Sequence, residues 1–541
     1  MTLRTLVDLL EERATAAPTR VPVQFIGSDG SRVGADYSQL HRRAMSIAGT
    51  LQQRTDRGDR ALLMYPPGPE FVAAFFGCLA AGMIPVPTPP PLPGPMAERF
   101  LHIGSDCTPR LLLTVEAWAA LAPDAGFSML ATDTAVGAGG ASDRVPLPAA
   151  APDDIAYLQY SSGTTGLPRG VIITHANALA NCAMHAAVFD LRPDDTNVGW
   201  MPHFHDFGLL IQILAPIFDN RTNVVLDPLL FVRDPMRWLR EMHDSKNRFS
   251  SMPAFACDLL LRRIAPQARA ELDLSAVHGI GIGAEPLREE LLADTARGFA
   301  SAGLAETALM PCYGMAEAVA FVATTPPGAG RRTLRVNRDA LATGKLTVDP
   351  GGTPLVGSGT PAPGMQVRIV DPQTRAELPP GHVGEILIAG PNVSPGYWGQ
   401  PDPGMTFNGT RCLPTDDLGA VVDDELFVLD RLSDRITVDG RDHYPFDVER
   451  TARRVDEQIR RAVAFGVEGG LALVVEIADR CVGEQTQGLA DRVSDAVARV
   501  HGVVAERVQI VPKGAIPVTT SSKPRRAACR NNYLSDIRVG R

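Results

Sequence analysis

Short apolar, β-branched runs alternate with helical patterns along much of the chain, and this alternation restricts the fold more than any other feature. Residues 60–65 read as a strand, 69–81 as a helix and 84–86 as a strand; 222–226, 234–243 and 249–252 repeat the order. Strands joined through helices lie side by side and parallel, so the expected class is α/β, layered around mostly parallel sheets. From residue 364 the pattern changes to short strands with turns between them, at 365–370, 384–388 and 426–428, which reads as a β-rich subdomain. Beyond 431 it becomes α+β: a helix at about 446–461, strands at 462–466 and 471–476, a helix at 486–501 and a strand at 507–511. The expected architecture is a large N-terminal domain, 1–430, of two α/β-layered subdomains plus the β-rich one, and a small α+β C-terminal domain, 431–541. Seven prolines between Pro85 and Pro95 predict an extended loop, and residues 133–153, rich in Ala, Gly and Pro, a surface connection.

Composition excludes some classes of function. With 541 residues there is room for two or more domains, and a net charge of −9 argues against a nucleic-acid binder, which would present a basic face. The eight cysteines are scattered with no Cys-x-x-Cys pair, which fits free thiols in a reducing cytoplasm rather than a zinc site or a disulfide framework. Leu6 to Arg13 reads as an amphipathic helix rather than a signal peptide. The longest apolar run, Phe71 to Val86, is short for a membrane span and contains Gly77, Gly82 and Pro85. It is expected to be a buried helix running into a strand, in a soluble, cytoplasmic protein with no membrane span.

The chemistry concentrates in six segments. Ser161-Ser162-Gly163-Thr164-Thr165-Gly166, with Arg169 and Gly170 following, lies between the apolar runs 155–158 and 171–173. Its hydroxyls and backbone N–H groups can wrap a polyphosphate, and its glycines let the backbone approach; the alternative is a surface turn. The nucleoside-triphosphate string Gly-x-x-x-x-Gly-Lys-Ser/Thr is absent, so a lysine neutralising phosphate charge must come from elsewhere in the chain. His203-Phe204-His205-Asp206 invites a zinc reading, but Phe207 and Gly208 break the hydrolase pattern; a histidine-lined turn at a substrate mouth is favoured, with a core histidine as the alternative. Gly283-Ala284-Glu285 fits a strand end against which a flat ring can lie. Tyr313-Gly314-Met315-Ala316-Glu317 offers an aromatic face for a base and a carboxylate for Mg²⁺. Asp417, with Arg431 further on, fits a ribose diol, and Lys523 stands alone in a small polar loop. Taken alone, each of the five segments after the first reads by default as a solvated loop.

In this order, however, they resemble the adenylate-forming superfamily of acyl-CoA synthetases, adenylation domains and luciferases, and most closely its fatty acyl-AMP ligase branch. The likeness spans nearly the whole chain and includes Tyr65-Pro66-Pro67-Gly68, Phe75-Phe76-Gly77-Cys78, Leu158-Gln159-Tyr160, Gly396-Tyr397-Trp398 and Asp442-His443-Tyr444-Pro445. Gln159-Tyr160, the His-Tyr-Pro string and an extra segment near 331–358 point to the ligase branch. The resemblance implies a mobile C-terminal domain, ATP and Mg²⁺, and a carboxylic acid, expected to be fatty, joined to AMP with release of pyrophosphate. It also implies transfer to the phosphopantetheine thiol of an acyl carrier protein, in polyketide or nonribosomal peptide assembly.

By the same resemblance Thr164 and Thr165 grip the phosphates and Glu317 holds Mg²⁺. Tyr313 and Ala284 sandwich adenine, Asp417 binds the ribose with Arg431 beside it, and His205 lies near the carboxylate. Lys523 is the cation brought by domain closure. Four positions depart from the family pattern: Asp416 replaces a glycine, Ser522 replaces the glycine before the lysine, Ser433 occupies the hinge, and Arg169 replaces a lysine. A CoA-using synthetase, an amino-acid adenylation enzyme and a non-catalytic homologue are the competing readings.

Overall fold

The computed structural model describes residues 3–123, 126–137, 149–161, 167–478, 484–518 and 523–539. Its largest element is a nine-stranded sheet. Strands Leu309–Tyr313, Gly279–Gly283, Phe249–Pro253, Thr196–Gly199, Thr222–Leu226 and Val23–Ile26 run parallel in that spatial order. Antiparallel strands close the two edges. A second, four-stranded parallel sheet holds Ile84–Pro87, Arg60–Leu63, Leu111–Thr114 and Ser128–Ala131. The fold is the mixed α/β architecture that the alternation predicts.

The apolar run is the buried helix Pro69–Ala81 followed by strand Ile84–Pro87, with every residue from Phe71 to Ala81 buried. Proline is pre-set for the first helical turn, and the left-handed Gly82 ends the helix. Among the described residues no helix is long and apolar enough to cross a membrane. The proline-rich stretch differs from expectation at its start. Pro85 and Pro87 lie within strand Ile84–Pro87, which is an edge strand, where a residue without an N–H leaves no partner unsatisfied.

The β-rich subdomain is a five-stranded antiparallel sheet of Gln366–Val370, Gly384–Ala389, Thr410–Val422, Met405–Phe407 and Glu425–Arg431. The C-terminal region sets helices Pro445–Arg453 and Glu484–His501 around a three-stranded sheet of Ile459–Val467, Gly470–Ile477 and Ala505–Val511. Its first helix stops at Arg453, short of the expected 461, because Ile459–Val467 pairs along the whole of Gly470–Ile477. A final helix, Arg526–Val539, was not expected; it buries Cys529 and Tyr533, the latter 5.3 Å from the ring of Phe465.

The segment near 331–358 forms hairpin strands Thr333–Val336 and Thr353–Val356 with a helical turn, Arg338–Leu341, between them. Leu334, Val336, Leu341 and Leu355 share one apolar cluster with Leu418, Phe427 and Leu429 of the β-rich sheet and with Tyr444 of the C-terminal region. Val348 instead faces solvent. The Arg338 guanidinium meets the Asp447 carboxylate at 2.8 Å, and Thr353 donates to the same carboxylate at 3.1 Å. The segment therefore clamps the two halves of the chain together.

Candidate active site

The glycine- and hydroxyl-rich loop hangs from an antiparallel pair, Ile155–Tyr160 with Gly170–Thr174. Its stem is closed by the Ser161 N–H donating to the Arg169 carbonyl at 3.1 Å and the Arg169 N–H to the Ser161 hydroxyl at 3.2 Å. Ser162, Gly163, Thr164, Thr165 and Gly166 lie outside the described residues, as does Ser522.

The stem opens onto a cavity of about 760 Å³. Ser161, His205, Ala284, Glu285, Tyr313, Gly314, Met315, Glu317, Asp417, Arg431 and Lys523 line it. Of the sequence-predicted positions that are described, Gly283 alone is not on that wall; it is the buried last residue of strand Gly279–Gly283, one step behind Ala284. A Cβ on Gly283 would stand 2.7 Å from the Cys312 carbonyl oxygen, so the close approach of neighbouring strands keeps that position glycine. Ala284 then turns with φ +73°, a left-handed conformation uncommon for a residue with a Cβ.

Two hydrogen-bonded pairs order the floor. The Tyr313 hydroxyl donates to Asp417 Oδ2 at 2.7 Å, and the Arg431 guanidinium stands 3.7 Å from the other oxygen. Burial pushes the Asp417 carboxyl up from its ordinary range, opposed by Arg431 and the Tyr313 bond. The second pair is Tyr397, whose hydroxyl donates to Glu317 Oε1 at 2.8 Å. Arg169 stacks over the Tyr397 ring at 4.0 Å and approaches the same carboxylate at 4.0 Å.

On the next wall the Phe255 N–H donates to Glu285 at 3.1 Å, and burial pushes that carboxyl up against the pull of Lys523. His205 and Asp206 meet at 2.5 Å. Burial pushes Asp206 up, but His205, the Phe207 N–H and Lys523 outweigh it and hold it below the ordinary range. His203 turns the other way, into the core, 4.2 Å from the Phe71 ring, and burial pushes its imidazole down to about 3. The two histidines of His-x-His-Asp thus have separate surroundings.

Lys523 comes from the C-terminal region, half-buried at the cavity. Burial pushes its amine down, with Arg431 acting the same way; Glu285, Asp206 and Asp417 oppose them. The departure at Asp416 has a local cause. Asp416 has φ +61°, which glycine adopts freely and aspartate more readily than most residues. The Ser433 hydroxyl donates to its Oδ2 at 2.6 Å, so two of the atypical positions form one contact.

Two further residues shape this site: Tyr397, buried behind Glu317, and Arg99, on the cavity wall. Tyr397 carried a signal, the Gly-Tyr-Trp string, but nothing that linked it to Glu317. Arg99, on helix Pro95–Cys107, donates to the Tyr160 carbonyl at 3.1 Å, and burial lowers its guanidinium to about 10. A lone arginine on an amphipathic helix carries no motif.

A fold of parallel layers, a smaller C-terminal unit and one polar cavity between them define an adenylate-forming architecture. The AMP-binding enzyme family matches residues 10–398, and the AMP domain of Disco-interacting protein 2-like proteins matches 433–538. The 4-hydroxyphenylalkanoate adenylyltransferase of Mycobacterium marinum is 34% identical over 99% of this chain and 92% of its own. The medium-chain-fatty-acid–[acyl-carrier-protein] ligase JamA of Moorena producens is 32% identical over 98% and 95%. The long-chain-fatty-acid–AMP ligase FadD26 of Mycobacterium marinum is 34% identical over 99% and 98%. A solved structure from studies of fatty acyl-adenylate ligases from E. coli and L. pneumophila superposes with a TM-score of 0.89 at 30% identity, covering 99% of both chains. The chain belongs to the AMP-binding enzyme family, on its fatty acyl-AMP ligase branch. It is an adenylate-forming ligase that uses ATP to convert a carboxylic acid into an acyl-adenylate.

Proposed function

We propose that the acid is one with a long apolar body, a fatty acid or aryl-alkanoic acid, and that the acyl group passes to the phosphopantetheine thiol of an acyl carrier protein in the cytoplasm. The names of the relatives support this range: they act on hydroxyphenylalkanoates, medium-chain and long-chain fatty acids, and one is a carrier-protein ligase. The observation that carries the reading is the convergence of Lys523, from beyond residue 431, with Glu317, Tyr313, Asp417 and His205 on one cavity. We take 1–430 and 431–541 as the two domains.

The acid's carboxylate oxygen attacks the α-phosphorus of ATP, and the bond from that phosphorus to the pyrophosphate oxygen breaks. Negative charge grows on the α-phosphate during this step, so fixed cations lower the barrier most when they are already in place. Lys523 supplies one, near the His205 side where the carboxylate enters. Tyr313 and the Ala284 turn hold the adenine, Asp417 accepts from the ribose hydroxyls with Arg431 beside it, and Ser161 to Gly166, with Thr164 and Thr165 foremost, hold the phosphates. Glu317 fits a Mg²⁺ ligand, because a hard cation takes carboxylate oxygen and the Tyr397 bond fixes the orientation of this one. When bound, Mg²⁺ would neutralise phosphate charge. In the second step the carrier thiol attacks the acyl carbonyl and AMP leaves.

The clamp formed by 331–358 favours this adenylating arrangement over rotation of the C-terminal domain. Full burial of a Leu or Val side chain contributes about 1.5–3 kcal/mol. With acid, ATP and CoA supplied, acyl-AMP is expected to accumulate with little acyl-CoA, and partial deletion of 331–358 to raise acyl-CoA output. Pyrophosphate release across a panel from acetate to long-chain fatty acids and amino acids tests the acid class. Efficient acyl-CoA formation by the intact chain would replace this reading with that of a CoA synthetase.

A further inference from the structure

Phe207 and Phe321 line the cavity on the side of His205. Asn181 clamps the Phe321 main chain from behind: its amide donates to the Phe321 carbonyl at 3.0 Å, and the Phe321 N–H donates back at 3.2 Å. Asn181, His185 and Phe189 follow one another at four-residue spacing on helix His175–Phe189 and so share one face. The Phe189 ring lies 5.9 Å from Phe321 and 4.9 Å from His185, which also meets Phe249 at 5.2 Å. His185 therefore sits one aromatic ring behind the cavity wall.

Its surroundings do not satisfy it. His185 is 0% exposed, and neither ring nitrogen has a hydrogen-bond partner among the described residues. Burial and the nearby Arg221 hold the imidazole well below its ordinary pKa, and so neutral, with one N–H to donate and one nitrogen to accept. Gln212 is in the same condition: 2% exposed, with neither amide atom partnered among the described residues. It sits on a π-helical turn, Leu210–Leu214, immediately after the helical turn that carries Phe207. Such widened turns recur at functional sites. The Asn223 amide holds the Gln212 carbonyl at 2.7 Å, and the Gln212 side chain covers Gly199 so closely that a Cβ there would stand 2.6 Å away. The helix bearing His185 packs against this π-turn. Two unpaired polar side chains thus lie on adjoining elements, one reached through Phe189 from Phe321 and the other one turn beyond Phe207, and buried polar groups are ordinarily paired.

We propose that His185 and Gln212 form the far end of the acid pocket and bind a hydroxyl group carried by the acyl body remote from its carboxylate. This deepens the ligase reading and rests on it. A hydroxyl both donates and accepts, which matches a neutral imidazole and an amide. A charged terminus does not match, because the nearby charge, Arg221, is itself buried and already paired with Asp219 at 2.7 Å. With the Phe321 main chain pinned by Asn181, rotation of the Phe321 ring would open the way without moving the main chain.

The test compares matched acids by pyrophosphate release: decanoate with its terminally hydroxylated counterpart, and phenylpropanoate with its para-hydroxylated counterpart. The wild-type chain is expected to favour the hydroxylated member of at least one pair by about tenfold or more in kcat/KM, because a site built to bond a hydroxyl rejects the analogue lacking it. The pair that shows the preference identifies an aliphatic or a phenolic hydroxyl. His185→Phe and Gln212→Leu are expected to erase the preference, so that within each variant the hydroxylated acid is turned over no better than its unsubstituted counterpart. Turnover of both members within about twofold, or preference for the unsubstituted ones, overturns the proposal. If either variant fails a thermal-melt check, the wild-type comparison decides alone. Pyrophosphate release with no preference sinks this inference only; no release with any acid sinks the ligase reading beneath it.

Discussion

The two walls of the cavity are held by different physics. On the N-terminal side, pairs such as Tyr313–Asp417 and Tyr397–Glu317 are short hydrogen bonds between side chains anchored in buried sheets and turns. On the C-terminal side several polar contacts are ion pairs that reach solvent: Arg454 with Glu290 at 2.5 Å and Arg441 with Asp339, while the buried Arg450 meets the same partly exposed Glu290 at 2.6 Å. Solvent-exposed pairs contribute about 0–1 kcal/mol each. One wall is thus preorganised, and the exposed pairs of the other can be released at small cost, as the proposed movement of the C-terminal domain between the two steps would require. The apolar cluster around Leu334 and Tyr444 is the exception, and it is what weights the closed arrangement.

The largest expected effect comes from removing the cation that the releasable wall delivers. Lys523→Ala should slow acyl-adenylate formation by about 10²–10³, the loss of one preorganised group facing developing charge. ATP affinity should change little, since the residues proposed to hold adenine and ribose sit on the other wall. Wild-type adenylation by the purified variant would remove Lys523 from the mechanism.

A change on the preorganised wall should look different. Glu317→Gln retains an oxygen for the Tyr397 hydroxyl but loses the charge that a hard cation prefers. The expected signature is a higher Mg²⁺ requirement with the melting temperature nearly unchanged. An unaltered Mg²⁺ titration would count against Glu317 as a ligand.

Releasing the rim should matter less. Glu290→Ala frees Arg450 and Arg454 together and should slow adenylation by roughly threefold to tenfold, through fewer closed molecules. Proteolysis between the two units should speed up in parallel. If both rates are unchanged, these pairs do not hold the closed arrangement.

What the sequence made legible follows the same division. Parallel strands buried on both faces leave continuous apolar runs, so the layered sheets could be read from 60–86 and 222–252 directly. Strand Thr410–Val422 could not: Asp416 and Asp417 interrupt its alternation, and the structure absorbs them with a left-handed residue and a register shift between Asp417 and Gly419. The last helix, Arg526–Val539, is polar over most of its length and is anchored through Cys529 and Tyr533, which gives no clear apolar period. The chemical segments stood out as motifs, but their partnerships did not. Tyr313 and Asp417 lie 104 residues apart, and nothing in either segment encodes that pairing. Ser433 and Asp416 looked like two separate departures until their side chains met.

The last prediction concerns stability rather than rate and lies where the two walls join. Asp430 is buried at the end of strand Glu425–Arg431 and accepts the Phe446 N–H at 2.8 Å. Burial pushes its carboxyl up to about 8, although Arg526 pulls the other way. An unfolded aspartate titrates near about 3.9. Between about 4 and 8, then, the folded chain keeps a proton here that the unfolded chain has lost. Stability must fall as pH rises through that window, by at most about 1.4 kcal/mol per pH unit from this group. Asp430→Asn keeps an oxygen for the Phe446 N–H and has no proton to lose. The variant should therefore match the wild type near pH 4 and exceed it progressively toward pH 8 in denaturant midpoint. Parallel curves for the two proteins across that window would show that Asp430 is already ionised in the folded chain, and that Arg526, rather than burial, sets its charge.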